Sequence, residues 1–177
     1  TQEERDNVFG KSKRDGRRLL AEWAARNGGK FTGMVIPNVF GPFGNPYYNS
    51  VVATFSHQLT HDEQPRIEMD ASLKLIYIGD LVRVIDYLIN NSIEDNAFAI
   101  TPTDEARVTE ILTVLQNFKA QYFEKGIIPD LSDPFERNLF NTFVCYIDHR
   151  SYFPFRLKMN SDDRGSFVET IKLNSGG

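Results

Sequence analysis

The chain has 177 residues, 41% hydrophobic, 12% aromatic and 25% charged, a composition that supports a buried core and excludes a disordered or low-complexity polypeptide. Against 24 Asp and Glu stand 20 Lys and Arg, a net charge of −4 without the basic field that holds a phosphate backbone, so nucleic acid is not an expected partner. Cys145 is the only cysteine, and the longest apolar runs fall far short of the roughly 20 residues that cross a bilayer, so a disulfide, a multi-cysteine zinc site and a membrane span are all unexpected. Residues 1–6 are charged and carry no apolar leader core, and the expected setting is a reducing cytoplasm.

The first predicted element is a helix over residues 8–26, with Leu19, Leu20 and Trp23 on one side and Arg14, Arg17, Arg18 and Glu22 elsewhere, stopped by Asn27-Gly28-Gly29. A buried strand over residues 30–36 follows, closed by Pro37, which restricts Ile36 to extended geometry. Residues 38–46 are dense in Gly and Pro and read as an ordered loop. Asn49-Ser50 opens a second helix with Val51, Val52, Phe55 and Leu59 at helical spacing. Residues 66–69 alternate like an exposed strand, and residues 73–78 form a stronger one. Gly79-Asp80 starts a third helix ended by Asn90-Asn91-Ser92, with Asp80 favoured in its first turn by the helix dipole. A short strand over residues 97–100 and a helix over residues 108–123 complete an α/β pattern without internal repeats.

From Gly126 the periodicity breaks, and a boundary is placed there, dividing residues 1–125 from 126–177. A short helix is predicted over residues 135–146. Residues 154–160 and 166–172 then read as two strands around the turn Asp162-Asp163-Arg164-Gly165, a hairpin too small to stand alone in water.

Several motifs occur in order. Phe9-Gly10-Lys11-Ser12-Lys13 resembles the Tyr-x-x-x-Lys segment of short-chain dehydrogenases/reductases, with Phe9 at the tyrosine position. Pro37-Asn38-Val39-Phe40-Gly41-Pro42 and Tyr77-Ile78-Gly79-Asp80-Leu81 resemble motifs of their extended branch, the nucleoside-diphosphate-sugar epimerases, dehydratases and reductases. Within that branch the chain more closely resembles capsule-sugar reductases that carry a C-terminal cupin domain and act in UDP-N-acetyl-L-fucosamine synthesis. Tyr48-Asn49-Ser50-Val51-Val52, Pro129-Asp130-Leu131-Ser132-Asp133-Pro134 and Asp162-Asp163-Arg164-Gly165-Ser166-Phe167 carry that likeness. The resemblance implies the C-terminal part of a Rossmann-like extended reductase domain with a small substrate-binding subdomain. On that reading the N-terminal dinucleotide-binding half lies outside this chain, and residues 126–177 are a linker and the first cupin strands.

Reducing a 4-keto sugar with a nicotinamide needs a proton at the developing alkoxide as hydride arrives, and in the family a tyrosine gives it while a lysine one helical turn away lowers its pKa. The resemblance therefore makes Phe9 and Lys13 the catalytic positions, but Phe9 has no hydroxyl to donate. Lys13, Pro37 and Asn38 are the implied cofactor-side residues, with NADP or NAD expected in the complete parent and none bound by this chain. Asn38, Tyr48, Asn49, Ser50, Arg66, Asp80 and Arg83 are the implied contacts to a UDP-sugar. Each has a plainer alternative: Asn38 caps a turn, Asn49 and Ser50 cap a helix, Asp80 starts one, and the arginines and Lys13 are solvated charges. His57 and His61 lie one turn apart, without the third ligand or His-Glu-x-x-His order a catalytic zinc needs, so no metal site is expected. Two readings stay open: the substrate-binding part of a reductase, inert alone, and a non-catalytic dimerisation module derived from one. Either leaves apolar helix faces uncovered, and a homo-oligomer is expected.

Overall fold

A computed structural model describes residue 3 and residues 6–173. The charged N-terminal run therefore falls largely on residues 1, 2, 4 and 5, outside the described residues. The chain divides into two units, Thr1–Val39 with Lys74–Glu105 and Phe40–Leu73 with Ala106–Gly177.

In the first unit, the Asn7 side chain accepts from the Gly10 amide at 2.8 Å and starts helix α1, Val8–Arg26. Gly28, at φ 65°, follows its C-cap Asn27. Strand β1, Thr32–Val35, runs parallel to β4, Asp95–Ala99, with Met34 opposite Phe98 and Val35 opposite Ala99. Gly33 is needed where they meet α1: a Cβ there would sit 2.5 Å from the Asn96 oxygen and 2.8 Å from Arg17 Cδ. The same Arg17 donates to the Asn96 carbonyl at 3.2 Å. Ile76, Leu81 and Ile100 form the buried cluster here, with Met34, Ile36, Val84, Ile85 and Phe98 packed on it. Leu81, Val84 and Ile85 come from α3, Ile78–Asn90, whose apolar positions recur at helical spacing.

The second unit is built on three helices, α2 (Val51–Thr60), α4 (Val108–Phe118) and α5 (Pro134–Phe143). Asp133 caps α5 by accepting from the Glu136 amide at 2.9 Å, with Pro134 at the first helical position. Asp70 caps α4 from a distance: its Oδ1 accepts from both the amide and the hydroxyl of Thr109 at 3.0 Å. A π-helical turn, Lys119–Phe123, extends α4 and presents Tyr122 and Phe123 together to the ring of Tyr152. That tyrosine ends the short helix α6, His149–Tyr152. Strands β6 (Ile127–Ile128) and β9 (Lys172–Leu173) pair in parallel, and β7 (Met159–Asp162) with β8 (Gly165–Val168) makes an antiparallel hairpin.

Strands β2 (Asn38–Phe40), β3 (Ser72–Tyr77) and β5 (Asp104–Arg107) form a three-stranded sheet in the order β2-β3-β5. Three expectations are corrected. Residues 66–69 are not a strand, because alternation without a partner leaves no ladder to join. Residues 38–40, expected in a loop, are β2, and the Asn38 amide group also donates to the Lys74 carbonyl of β3 at 3.2 Å. The C-terminal hairpin is shorter than predicted, residues 154–158 taking no strand pairing.

Candidate functional site

Phe9, Lys13, Pro37, Asn38, Asp80 and Arg83 lie in the first unit, and Tyr48, Asn49, Ser50 and Arg66 in the second. Helix α1 does put Phe9 and Lys13 on one face: the Lys13 ammonium stands 5.2 Å from the centre of the Phe9 ring, a cation–π contact. Both side chains are exposed, and Ser12 turns away to donate its hydroxyl to the Phe9 carbonyl at 2.8 Å. Asn38 is exposed and engaged with β3, so it braces the strand rather than capping a turn. Asp80 and Arg83 pair with each other across one turn of α3, which places the Asp80 charge at the helix N-terminus.

In the second unit the segment 41–50 is an anchored loop. Phe43, Tyr47 and Asn49 all take positive φ, 63°, 61° and 54°, a conformation that costs non-glycine residues energy and persists only where neighbours fix it. The neighbours are visible. Tyr146 donates its hydroxyl to the Gly44 carbonyl at 2.6 Å, the Tyr47 amide donates to Thr54 Oγ1 at 2.9 Å, and the Tyr47 hydroxyl donates to Glu63 at 2.5 Å. The hydrogen bond to Glu63 is the main reason the Tyr47 phenol is pushed above its ordinary value. Ser50 ends the loop as the α2 cap, its Oγ accepting from the Ala53 amide at 3.2 Å. Tyr48, at 68% exposure, and the exposed Asn49 are left facing solvent. Arg66 is exposed between α2 and β3.

Tyr48 stands out in the sequence, but the Tyr47, Glu63 and Tyr146 that hold its loop in place do not. The adjacent tyrosines are a signal; which one is anchored depends on backbone φ and on partners 16 and about a hundred residues away. Among the described residues no group of three His, Cys, Asp or Glu side chains can hold a metal ion. His57 and His61 stack face to face, with ring centres 3.9 Å apart. None of the helices among the described residues is long and apolar enough to cross a membrane.

These two units, one a parallel α/β arrangement and the other helical and entered through an anchored loop, match a known family. The model of the NAD dependent epimerase/dehydratase family matches residues 2–100, and the chain belongs to that family. Its relatives include the UDP-2-acetamido-2,6-beta-L-arabino-hexul-4-ose reductase of Pseudomonas aeruginosa, 31% identical over 99% of this chain and 47% of the relative. The crystal structure of the capsular polysaccharide assembling protein CapF from Staphylococcus aureus superimposes with a TM-score of 0.82 at 34% identity, over 97% of this chain and 47% of that one. The UDP-glucose 4-epimerase of Thermus thermophilus shares the fold alone, with a TM-score of 0.61 at 14% identity over 78% of this chain and 53% of its own. The chain spans about half the length of the first two relatives.

The family's cofactor is a nicotinamide dinucleotide, and the residues here do not fit all of it. A dinucleotide diphosphate sits on a glycine-rich turn that leaves a strand and opens a helix. Gly28 and Gly29 close α1 instead, and the sequence contains no Gly-x-x-Gly-x-x-Gly run.

Proposed function

We propose that this chain is the substrate-binding portion of an NAD(P)-dependent nucleotide-sugar reductase, acting on a UDP-linked 4-keto amino sugar in capsule or surface polysaccharide synthesis, and inert by itself. The observation that carries the reading is likeness to the hexulose reductase along 99% of the chain. Residues 1–125 belong to the reductase domain and residues 126–177 to a linker and the first strands of a cupin. In the second unit the exposed Tyr48 and Asn49, the α2 start at Ser50 and the exposed Arg66 offer a stacking ring, an amide, a helix N-terminus and a guanidinium to a sugar diphosphate; Asn38, Asp80 and Arg83, in the first unit, are proposed separately as substrate contacts. Lys13 and Pro37 face the nicotinamide in the complete cytoplasmic enzyme, where NADP or NAD is bound by residues outside this chain. Phe9 removes the usual proton donor.

A second reading is favoured by a specific observation. Phe9, Leu19, Leu20 and Trp23 are 50%, 55%, 57% and 64% exposed along α1, an apolar stripe that a second copy of the chain covers. Here the chain is a dimerisation module. Calorimetric titration with UDP-N-acetylglucosamine and, separately, NADPH decides between them at concentrations that detect a Kd of about 1 mM. Sugar-nucleotide heat without NADPH heat is expected; silence with both, together with a dimeric mass in light scattering, overturns the substrate reading.

A further inference from the structure

Helix α2 ends in a way that aims the next segment back at the 41–50 loop. Past its cap His61, Asp62 takes φ 56° with its carboxylate on Lys119 at 3.0 Å, and the Glu63 amide donates to the Gln58 carbonyl at 2.9 Å. Tyr47 lies along that helix and is held over its whole length. Its amide donates to Thr54 Oγ1 at 2.9 Å, its ring meets His57 edge-on at 5.7 Å, and its hydroxyl donates to Glu63 at 2.5 Å. The last of these bonds joins two irregular segments, 41–50 and 63–70. The second segment has little slack. Pro65 restricts Gln64 to extended geometry, and at the far end Asp70 accepts from the amide and hydroxyl of Thr109 and from Arg107. Arg66 sits three residues past Glu63, exposed and with no hydrogen bond or ion pair among the described residues.

We propose that Tyr47 and Glu63 are positioning residues for sugar-nucleotide binding: their hydrogen bond clasps the two segments together and sets the spacing between Tyr48 and Asn49 on one and the unpaired guanidinium of Arg66 on the other. The proposal rests on the substrate reading above, in which those three side chains meet a sugar diphosphate. A guanidinium pairs with phosphate in a directional, two-pronged way, so its distance from the other contacts matters. Fixing that distance before the ligand arrives lowers the ordering cost of binding. Tyr47 itself does not need to touch the ligand, since its hydroxyl is committed to Glu63 while Tyr48 beside it is 68% exposed. Tyr146 holds Gly44 independently at 2.6 Å, so loss of the Tyr47 hydroxyl frees the spacing between the segments and leaves the loop attached.

The test is titration of the whole chain with UDP-N-acetylglucosamine, followed through the amide NMR shifts of residues 44–50 and 63–67. Tyr47→Phe keeps the ring on His57 and removes only the hydroxyl; its Kd should rise about tenfold while its urea midpoint barely moves. Glu63→Gln leaves a carbonyl to accept and should bind within about threefold of the parent chain. Glu63→Ala should match Tyr47→Phe, and the two together should be no weaker than either alone. Arg66→Ala should weaken binding far less in the Tyr47→Phe background than in the parent, a coupling that a loss of folding stability does not produce. An unchanged Kd in Tyr47→Phe, or additive effects of Tyr47 and Arg66, overturns the clasp and leaves the substrate reading standing. A urea midpoint that falls in step with affinity overturns it too, by assigning the bond to folding. Silence of the parent chain overturns the substrate reading and the positioning role with it.

Discussion

In the second unit α2, α4 and α5 bury Val52, Phe55, Ile111, Leu115, Phe118, Leu139 and Phe143 to 4% exposure or less, whereas α1, at 19 residues the longest helix of the first unit, buries only Gly10 and Ala24. The first unit also keeps a cavity of about 340 Å³ open between β1 and α3, lined by Met34, Ile85, Leu88 and Ile89. One unit has closed a core among its own helices. The other presents apolar surface on both α1 and α3, the pattern of a layer that packs against something further. The difference shows that an amphipathic pattern fixes which residues share a side, not which side is covered. Substitutions in the two units should accordingly behave differently.

The largest effect belongs to the second unit's core. Phe143 is fully buried and packs its ring near Phe118 at 6.0 Å, so Phe143→Ala should cost about 3–5 kcal/mol, read as a lowered urea midpoint at unchanged slope. A loss below about 1 kcal/mol would mean that this core is not closed after all. Next comes the tightest approach in the first unit. Gly33→Ala must move both the Asn96 backbone and the Arg17 side chain, and a cost of about 1–3 kcal/mol is expected in the same titration.

Much of this was legible in the sequence. Helix α1 forms over the predicted residues 8–26 because Asn7 caps it and Asn27-Gly28 stops it, both local signals. The parallel α/β character followed from β1, β3, α3 and β4 in their predicted places. What was missed depends on distant partners. Strand β5, Asp104–Arg107, is charged at three of its four positions and turns only Ala106 inward, so no alternation marks it. The π turn at Lys119–Phe123 is a one-residue slip in a helical period. At the site, Phe9 and Lys13 meet because four residues make a helical turn, while the Tyr47–Glu63 bond crosses a loop whose positive φ values no composition rule supplies.

A smaller effect, confined to acid, separates the units by charge. Among the described residues the carboxyls held below their usual range are Asp70, Asp130, Asp148 and Asp162, all in the second unit. For Asp70 the Thr109 amide is the largest cause, with the Arg107 guanidinium and the Thr109 hydroxyl adding to it. A depressed carboxyl stabilises the fold fully above its unfolded pKa, and that contribution is lost as pH falls through the folded one. Asp70→Asn keeps the shape and removes the titration. Its stability-against-pH curve should be flatter than the parent's below about pH 4, and an unchanged curve would assign the acid limb to the other three.

The smallest expected effect is the most direct check on the comparison. Leu20 is 57% exposed on α1, so Leu20→Gln removes little buried area and should change unfolding free energy by no more than about 0.5 kcal/mol in dilute solution. The same substitution places an amide in the middle of the Phe9, Leu19 and Trp23 stripe, so any self-association through that face should weaken, seen as a lower mass in light scattering at high concentration. A folding loss of Phe143 size would instead put Leu20 in a core of its own. The first unit would then be as closed as the second, and the contrast between them would fail.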